Sequence, residues 1–65
     1  MTKTWFEIEI PHHSEGCENW NGSEFVIGET TEFTKEQAEI ELKRAQEFCE
    51  RQGWVCEPVI CKYHD

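Results

Sequence analysis

The sequence predicts an α+β domain of the ββαβ type, in which one helix packs on one face of a three-stranded antiparallel sheet. Three stretches support this prediction: an amphipathic segment between Thr34 and Gly53, an alternating apolar run over Thr4–Ile10, and a run rich in β-forming residues after Gly53. A chain of 65 residues has room for one domain, so we expect residues 1–65 to form a single unit with a small core.

The helix is expected over about residues 35–52. Thr34 and Gln37 fit the capping box, in which each side chain accepts a hydrogen bond from the other residue's backbone N–H. Gly53 follows the last periodic residue and suits the left-handed conformation of a helix C-cap. The apolar positions fall on one stripe, with Phe48 at its edge: Ala38, Leu42, Ala45 and Cys49.

The first strand is expected over about residues 4–10, because its apolar and polar residues alternate. Its even-numbered side chains, Phe6, Ile8 and Ile10, should face the helix. Pro11 is expected to end this strand, and residues 11–23 to form a loop that contains the turn signal Asn21-Gly22.

The second strand is expected over about residues 24–28, with Phe25 and Ile27 pointing inward. The third, over about residues 54–63, contains Pro58, which has no N–H for a ladder and therefore favours a sheet edge. The uninterrupted first strand then lies in the centre. The predicted antiparallel order is 2-1-3, with the helix across one face.

The charge is strongly negative and unevenly distributed. Fourteen acidic residues against six basic ones give a formal net charge of −8, and the stretch between Lys3 and Lys35 holds seven acids and no Lys or Arg. Solubility alone explains such acidity in many small proteins. The functional interpretation of this acidity is that the negative electrostatic field of the stretch attracts a basic partner protein. Direct binding to nucleic acid is not expected, since neutralising phosphates requires clustered Lys and Arg.

A basic protein surface, such as the groove of a nucleic-acid-handling complex, is the partner that this charge predicts. Glu7 and Glu9 share a strand face and lie about 6.8 Å apart, comparable to neighbouring phosphates, and Trp5 beside them is a flat apolar anchor. Trp20 and Ile40 are apolar candidates for partner binding, and each has an alternative interpretation. Trp20 would instead cover the edge of the core, and Ile40 would be an isolated exposed side chain without a role. The candidate partner-binding residues are Trp5, Glu7, Glu9, Trp20, Glu24, Glu29, Glu32 and Ile40. A homodimer through the face with Trp5, or through the edge of the last strand, is a further alternative.

A zinc-binding module is the alternative function. Its ligands would be His12, His13 and Cys17, with Cys56, Cys61 and His64 as further donors. Against it, the cysteines form no C-x-x-C pair, and Cys49, Cys56 and Cys61 fit equally well as small buried apolar residues. We expect no cofactor and, in a chain without a secretory signal, no disulfide.

An enzyme is not expected, because the chain has no glycine-rich phosphate loop and no G-x-S-x-G or H-E-x-x-H motif. Cys17 near His13 is the one conceivable nucleophile and base. No apolar run approaches the length of a transmembrane helix, so no membrane partner is expected, and the expected location is the cytoplasm of the host cell.

Three fold features resemble the small acidic proteins of bacteriophages and prophages, among them anti-CRISPR proteins and other inhibitors of host defence. They are the alternating strand Thr4–Ile10, the helix start Phe33-Thr34-Lys35-Glu36-Gln37-Ala38, and the return to a strand at Gly53-Trp54-Val55. These proteins share no functional motif. The resemblance implies a mode of action, in which the protein blocks a nucleic-acid-handling protein by occupying its surface, sometimes as a nucleic-acid mimic.

Overall fold

In the part of the chain that the structure describes, one helix and four strands follow one another in the order β1 (Thr4–His12), β2 (Gly16–Trp20), β3 (Phe25–Val26), α1 (Lys35–Gln52) and β4 (Val59–His64). The computed structural model describes residues 2–12, 16–55 and 57–65. The strands form one antiparallel sheet in the order β3-β2-β1-β4. The predicted α+β class is confirmed, and the predicted number of three strands is wrong.

The helix occupies the predicted range because both of its ends are capped as the sequence indicates. Thr34 accepts from the backbone N–H of Gln37, and the side chain of Gln37 accepts from the backbone N–H of Thr34. Gly53 takes the left-handed conformation, with φ 74° and ψ 22°, which costs glycine little because it has no Cβ. Ala38, Ala45 and Cys49 are the buried residues of the helix, as the predicted stripe requires.

The predicted loop over residues 11–23 contains an additional strand, β2. Its sequence Gly-Cys-Glu-Asn-Trp has one large apolar side chain and no β-branched residue, so neither alternation nor propensity marks it as a strand. Pairing with β1, from Glu9↔Asn19 to His12↔Gly16, forms it instead. The predicted strand at 24–28 shortens to β3 and pairs with β2 rather than β1, so the order 2-1-3 is wrong.

Pro11 lies within β1 and does not end it, and the hydrogen-bond pattern explains why. Phe6 exchanges two backbone hydrogen bonds with Phe33 on the β2 side of β1. Successive residues of a strand direct their backbone groups to opposite sides, so Pro11 directs its nitrogen to the β4 side. Pairing with β4 begins at Glu9↔Val59, and the missing N–H therefore faces no strand in the described part of the chain.

The core lies between α1 and the face of the sheet that carries the even-numbered residues of β1. Its buried members are Ile8, Ile10, Trp20, Phe25, Ala45 and Cys49. Phe25 points inward as predicted. Ile27 does not: it is exposed, because β3 ends at Val26 and Gly28 turns the chain with φ 87°, so the alternation does not continue. Pro58 precedes β4, which lies at a sheet edge as predicted.

The opposite face of the sheet has no helix across it in the described part of the chain, and we call it the uncovered face. It carries the odd-numbered residues of β1 and the residues that share their face through the strand register: Cys17 and Asn19 of β2, and Val59, Cys61 and Tyr63 of β4. Within the described residues, no helix is long and apolar enough to span a membrane.

Candidate functional site

The uncovered face gathers ionisable and aromatic side chains from three strands. Residues directly opposite one another in an antiparallel pair have Cβ atoms about 4.5–5.5 Å apart. The register sets Trp5 opposite Tyr63 and Glu7 opposite Cys61, and it places Glu9 between Asn19 and Val59. We call the group the aromatic–acidic cluster, with seven members: Trp5, Glu7, Glu9, Cys17, Asn19, Cys61 and Tyr63.

Both carboxylates of the cluster are buried, although they lie on the face away from the helix. Glu7 is 7% exposed and Glu9 is 8% exposed. Trp5 donates a hydrogen bond from Nε1 to Glu7 Oε2 at 2.7 Å, and the hydroxyl of Tyr63 donates to Glu9 Oε2. The rings of Trp5 and Tyr63 are themselves stacked, with centroids 5.9 Å apart and planes 16° from parallel. The aromatic pair therefore fixes the orientation of both carboxylates.

Hydrogen bonds to Glu9, burial and the charge of Glu9 raise the pKa values of the weak acids in the cluster. A hydrogen bond to Glu9, followed by desolvation, raises the pKa of the Cys17 thiol. Burial, followed by the charge of Glu9, raises the pKa of Cys61, and the hydrogen bond to Glu9 raises the pKa of Tyr63. A thiol with a raised pKa holds little thiolate at neutral pH. Cys17 is therefore poorly suited to act as a nucleophile.

Neither carboxylate of the cluster forms an ion pair with a Lys or Arg in the described part of the chain. The nearest basic residue in sequence, Lys3, pairs instead with Glu32, and its Nζ lies 5.5 Å from the centroid of the Trp5 ring. Asn19, which is 8% exposed, has a buried Oδ1 that accepts no hydrogen bond from the described residues. The cluster thus presents two buried carboxylates and an unused acceptor, and no Lys or Arg among the described residues pairs with them.

The structure brings four of the predicted partner-binding residues together and separates the others. Trp5, Glu7 and Glu9 belong to the cluster, and Glu32 shares their face because its neighbour Phe33 pairs with Phe6. Glu24 and Glu29 are exposed in the connections on either side of β3. We therefore treat the cluster, with Glu32 at its border, as the candidate site.

Trp20 and Ile40 lie elsewhere. Trp20 is 2% exposed and packs in the core, which agrees with the alternative prediction for this residue. Its Nε1 donates a hydrogen bond to Glu41 Oε1 at 2.9 Å. Its indole therefore offers no surface to a partner in this fold. Ile40 is 63% exposed on α1, and because α1 covers the opposite face of the sheet, Ile40 cannot contribute to a surface formed by the cluster.

Sequence reasoning missed Asn19, Cys61 and Tyr63 as members of this site. Alternation in the last strand would have placed Cys61 and Tyr63 on one face, but only the register with β1 shows that this face is that of Glu7 and Glu9. Asn19 had no such signal, because its strand was predicted to be a loop.

The alternative metal site is not assembled by the residues that the structure describes. No group of three or more His, Cys, Asp and Glu side chains among them could hold a metal ion. Cys17 and Cys61 are free thiols. His13, Cys56 and the side chain of His12 lie outside the described residues, so the zinc site stays a prediction.

A concavity lies at the C-terminal end of α1. It is a groove of about 400 Å³, lined by Cys49, Trp54 and Val55 among others. Trp54 and Val55 are exposed, and the groove is wide open on the surface. Its described lining residues include none of the predicted partner-binding residues.

Comparison of the chain with protein-family models, with characterised proteins and with solved structures finds no match. Functional conclusions therefore rest on the geometry and charge of the molecule itself.

Proposed function

We propose that the protein is an acidic protein-interaction module that docks through its uncovered face on the basic surface of a partner. The observation that carries this proposal is the pair Glu7 and Glu9, two largely buried carboxylates with no ion-pair partner in the described part of the chain. Desolvated charge is costly when it is unpaired. A partner that brings a cation to this face would remove that cost and gain the Coulomb attraction.

The partner class that we propose is a nucleic-acid-handling protein, and the proposed effect is inhibition. Such a partner has a basic groove, and the acidic stretch between Lys3 and Lys35 gives the module a field that attracts it. The rise of about 3.4 Å per strand residue sets Glu7 and Glu9 at a spacing close to that of phosphates along a strand. The module would then compete with nucleic acid as a mimic, in the manner of phage-encoded inhibitors, in the cytoplasm of the host cell.

An interaction module is favoured over an enzyme by the state of the cluster's side chains. Raised pKa values hold the Cys17 and Cys61 thiols in the protonated form, so neither thiol is a ready nucleophile. A surface with oriented but chemically inert groups is suited to recognition.

The proposal is tested by capture from bacterial lysate on immobilised protein at low and high salt, with bound proteins identified by mass spectrometry. We expect one nucleic-acid-handling complex to be retained, to be released by salt, and to be displaced by added DNA or RNA. The double variant Glu7→Gln/Glu9→Gln keeps the side-chain shapes and should lose capture.

The matched control is Glu47→Gln/Glu50→Gln, which removes the same charge from two exposed residues of α1. It should capture as the unmodified protein does. Equal loss in both variants would show that only the net charge matters. Capture that is indifferent to salt and to the first variant would refute docking through the uncovered face.

A metal-binding module is the second candidate, and its predicted ligands would have to include His13, Cys56 or the side chain of His12, since no group of three donors among the described residues could hold a metal ion. Elemental analysis of protein purified without a histidine tag tests it. A stoichiometric content of zinc, with a melting temperature that falls in chelator, would support this function, and zinc-free protein with unchanged melting would remove it.

A further inference from the structure

We propose that the aromatic–acidic cluster is a receptor for an arginine side chain of the partner protein. The inference rests on the proposed docking function and makes it specific. The guanidinium group would lie over Glu7 and Glu9, beside Tyr63 and Asn19, and the partner would be recognised by an exposed arginine rather than by positive charge in general.

The hydrogen-bonding capacity of the cluster is complementary to a guanidinium. An ionised carboxylate accepts about four hydrogen bonds. Glu7 accepts one from Trp5, and Glu9 accepts from Tyr63 and from the thiols of Cys17 and Cys61, which leaves acceptor capacity on both carboxylates. Asn19, directly opposite Glu9, adds a buried Oδ1 without a donor among the described residues. Guanidinium carries five N–H donors in a rigid plane and no acceptor. It can therefore satisfy several of these oxygens at once.

The aromatic members favour the same ligand. The stacked rings of Trp5 and Tyr63 border the carboxylates, and guanidinium packs well against aromatic rings. The ammonium of Lys3 already lies over the Trp5 ring, which shows that a cation is accommodated at this edge. Hydrogen bonds from Trp5 and Tyr63 hold the carboxylates in place before binding, so little ordering is needed when the ligand arrives.

Burial selects arginine over lysine and over a metal ion. A guanidinium is more weakly hydrated than an ammonium, so it loses less on entering a site whose carboxylates are almost buried. A zinc ion would require the thiols of Cys17 and Cys61 to lose protons, and the described residues include no three-donor group that could hold a metal.

The test uses the indole ¹⁵N–¹H resonances of the three Trp residues as reporters. The unmodified protein is titrated with the blocked peptide Gly-Gly-Arg-Gly-Gly and with matched peptides that carry lysine or citrulline in place of arginine. We expect the Trp5 resonance to shift with the arginine peptide, to shift less with lysine, and to stay unchanged with citrulline, which has the same shape without the charge. The Trp20 indole is bonded to Glu41 in the core and should not move, which makes it an internal control.

Two substitutions locate the site. Glu7→Gln should weaken binding of the arginine peptide by at least about tenfold, the usual loss when a charged hydrogen-bond partner is removed. Glu47→Gln, an equal loss of charge at an exposed position of α1, should leave that binding unchanged. Asn19→Leu removes the unused acceptor without changing the charge, and it should weaken arginine binding while leaving the salt dependence unaltered.

Equal shifts with arginine and lysine, a shift with citrulline, or no shift at any concentration would overturn the inference. So would a response of Trp5 to Zn²⁺ alone. These results differ from a failure of the docking function: a partner captured through Glu7 and Glu9, with no arginine-specific shift, would leave the docking proposal standing and remove only the arginine receptor.

Discussion

The two faces of β1 bury neighbouring residues by different means. On the covered face, Ile8 and Ile10 are enclosed by apolar side chains of α1 and by Trp20. On the uncovered face, Glu7 and Glu9 are also largely buried, but their contacts are polar: Glu7 accepts a hydrogen bond from Trp5, and Glu9 accepts one from Tyr63. The covered face gains free energy from apolar burial, whereas the uncovered face only offsets the cost of desolvating charge.

The difference separates, within a single strand, the face that stabilises the fold from the face that we propose for recognition. A polar network that is fully paired would rigidify the sheet, but this one leaves two negative charges and the Oδ1 of Asn19 unmatched in the described part of the chain. A fold optimised for stability alone would place apolar residues there. We infer that the covered face maintains the fold and that the uncovered face is kept polar for a ligand.

The largest effect is expected on the covered face. Ile8→Ala removes a side chain with no exposed area and should lower the free energy of unfolding by about 2–5 kcal/mol, enough to unfold much of a domain of this size. Urea denaturation followed by Trp fluorescence measures it. Ile40→Ala, at an exposed position of α1, is the control and should change stability by less than about 0.5 kcal/mol.

A smaller effect is expected on the uncovered face. Glu9→Ala removes the acceptor of the Tyr63 hydroxyl and should cost about 1–2 kcal/mol, since the loss of the hydrogen bond is partly offset by the relief of repulsion from Glu7. The same denaturation experiment measures it. A loss as large as that of Ile8→Ala would show that the two faces do not differ in the way described.

The helix that makes the two faces unequal depends on its cap. Thr34→Ala removes the oxygen that accepts from the N–H of Gln37 and should cost about 1 kcal/mol. Thr34→Ser, which keeps that oxygen, should cost less than half as much. Equal losses in the two variants, measured by thermal melting followed by circular dichroism, would mean that the hydroxyl does not act as the cap.

The smallest effect at neutral pH concerns Tyr63, the only Tyr in the chain, whose ionisation can be followed by absorbance at 295 nm. The hydrogen bond to Glu9 raises its pKa, so titration should begin well above the ordinary value of about 10. Because the pKa is raised in the folded state, this bond contributes stability below pH ~10 and the contribution is lost as the pH rises through the folded pKa. Glu9→Gln should bring the titration back towards the ordinary value. An unchanged titration in that variant would contradict the contact.

Sequence reasoning succeeded where the signal is local and failed where it depends on register. The limits of α1 follow from Thr34, Gln37 and Gly53, all of which act within a few residues. β2 has no apolar alternation and exists because β1 offers it a partner. Its omission also hid Asn19 from the candidate site.

The candidate site shows the same division. The prediction that Glu7 and Glu9 share a face with Trp5 needs only the period of two in a strand. Their burial, and the contribution of Tyr63, depend on a pairing between residues 54 positions apart in sequence, which no local pattern encodes.

The single bridge between Phe6 and Phe33 has a consequence for the cooperativity of unfolding. Phe33 directly precedes the N-cap Thr34, and its N–H and C=O are both bonded to Phe6 at 2.8 and 2.9 Å. The start of α1 is therefore tied to the first strand by the backbone itself, and the N-terminal end of α1 stays beside β1 while these two bonds remain. The amides of Phe6 and Phe33 should exchange with solvent only when the whole domain opens, whereas those of the two-residue strand β3 should exchange through local fraying.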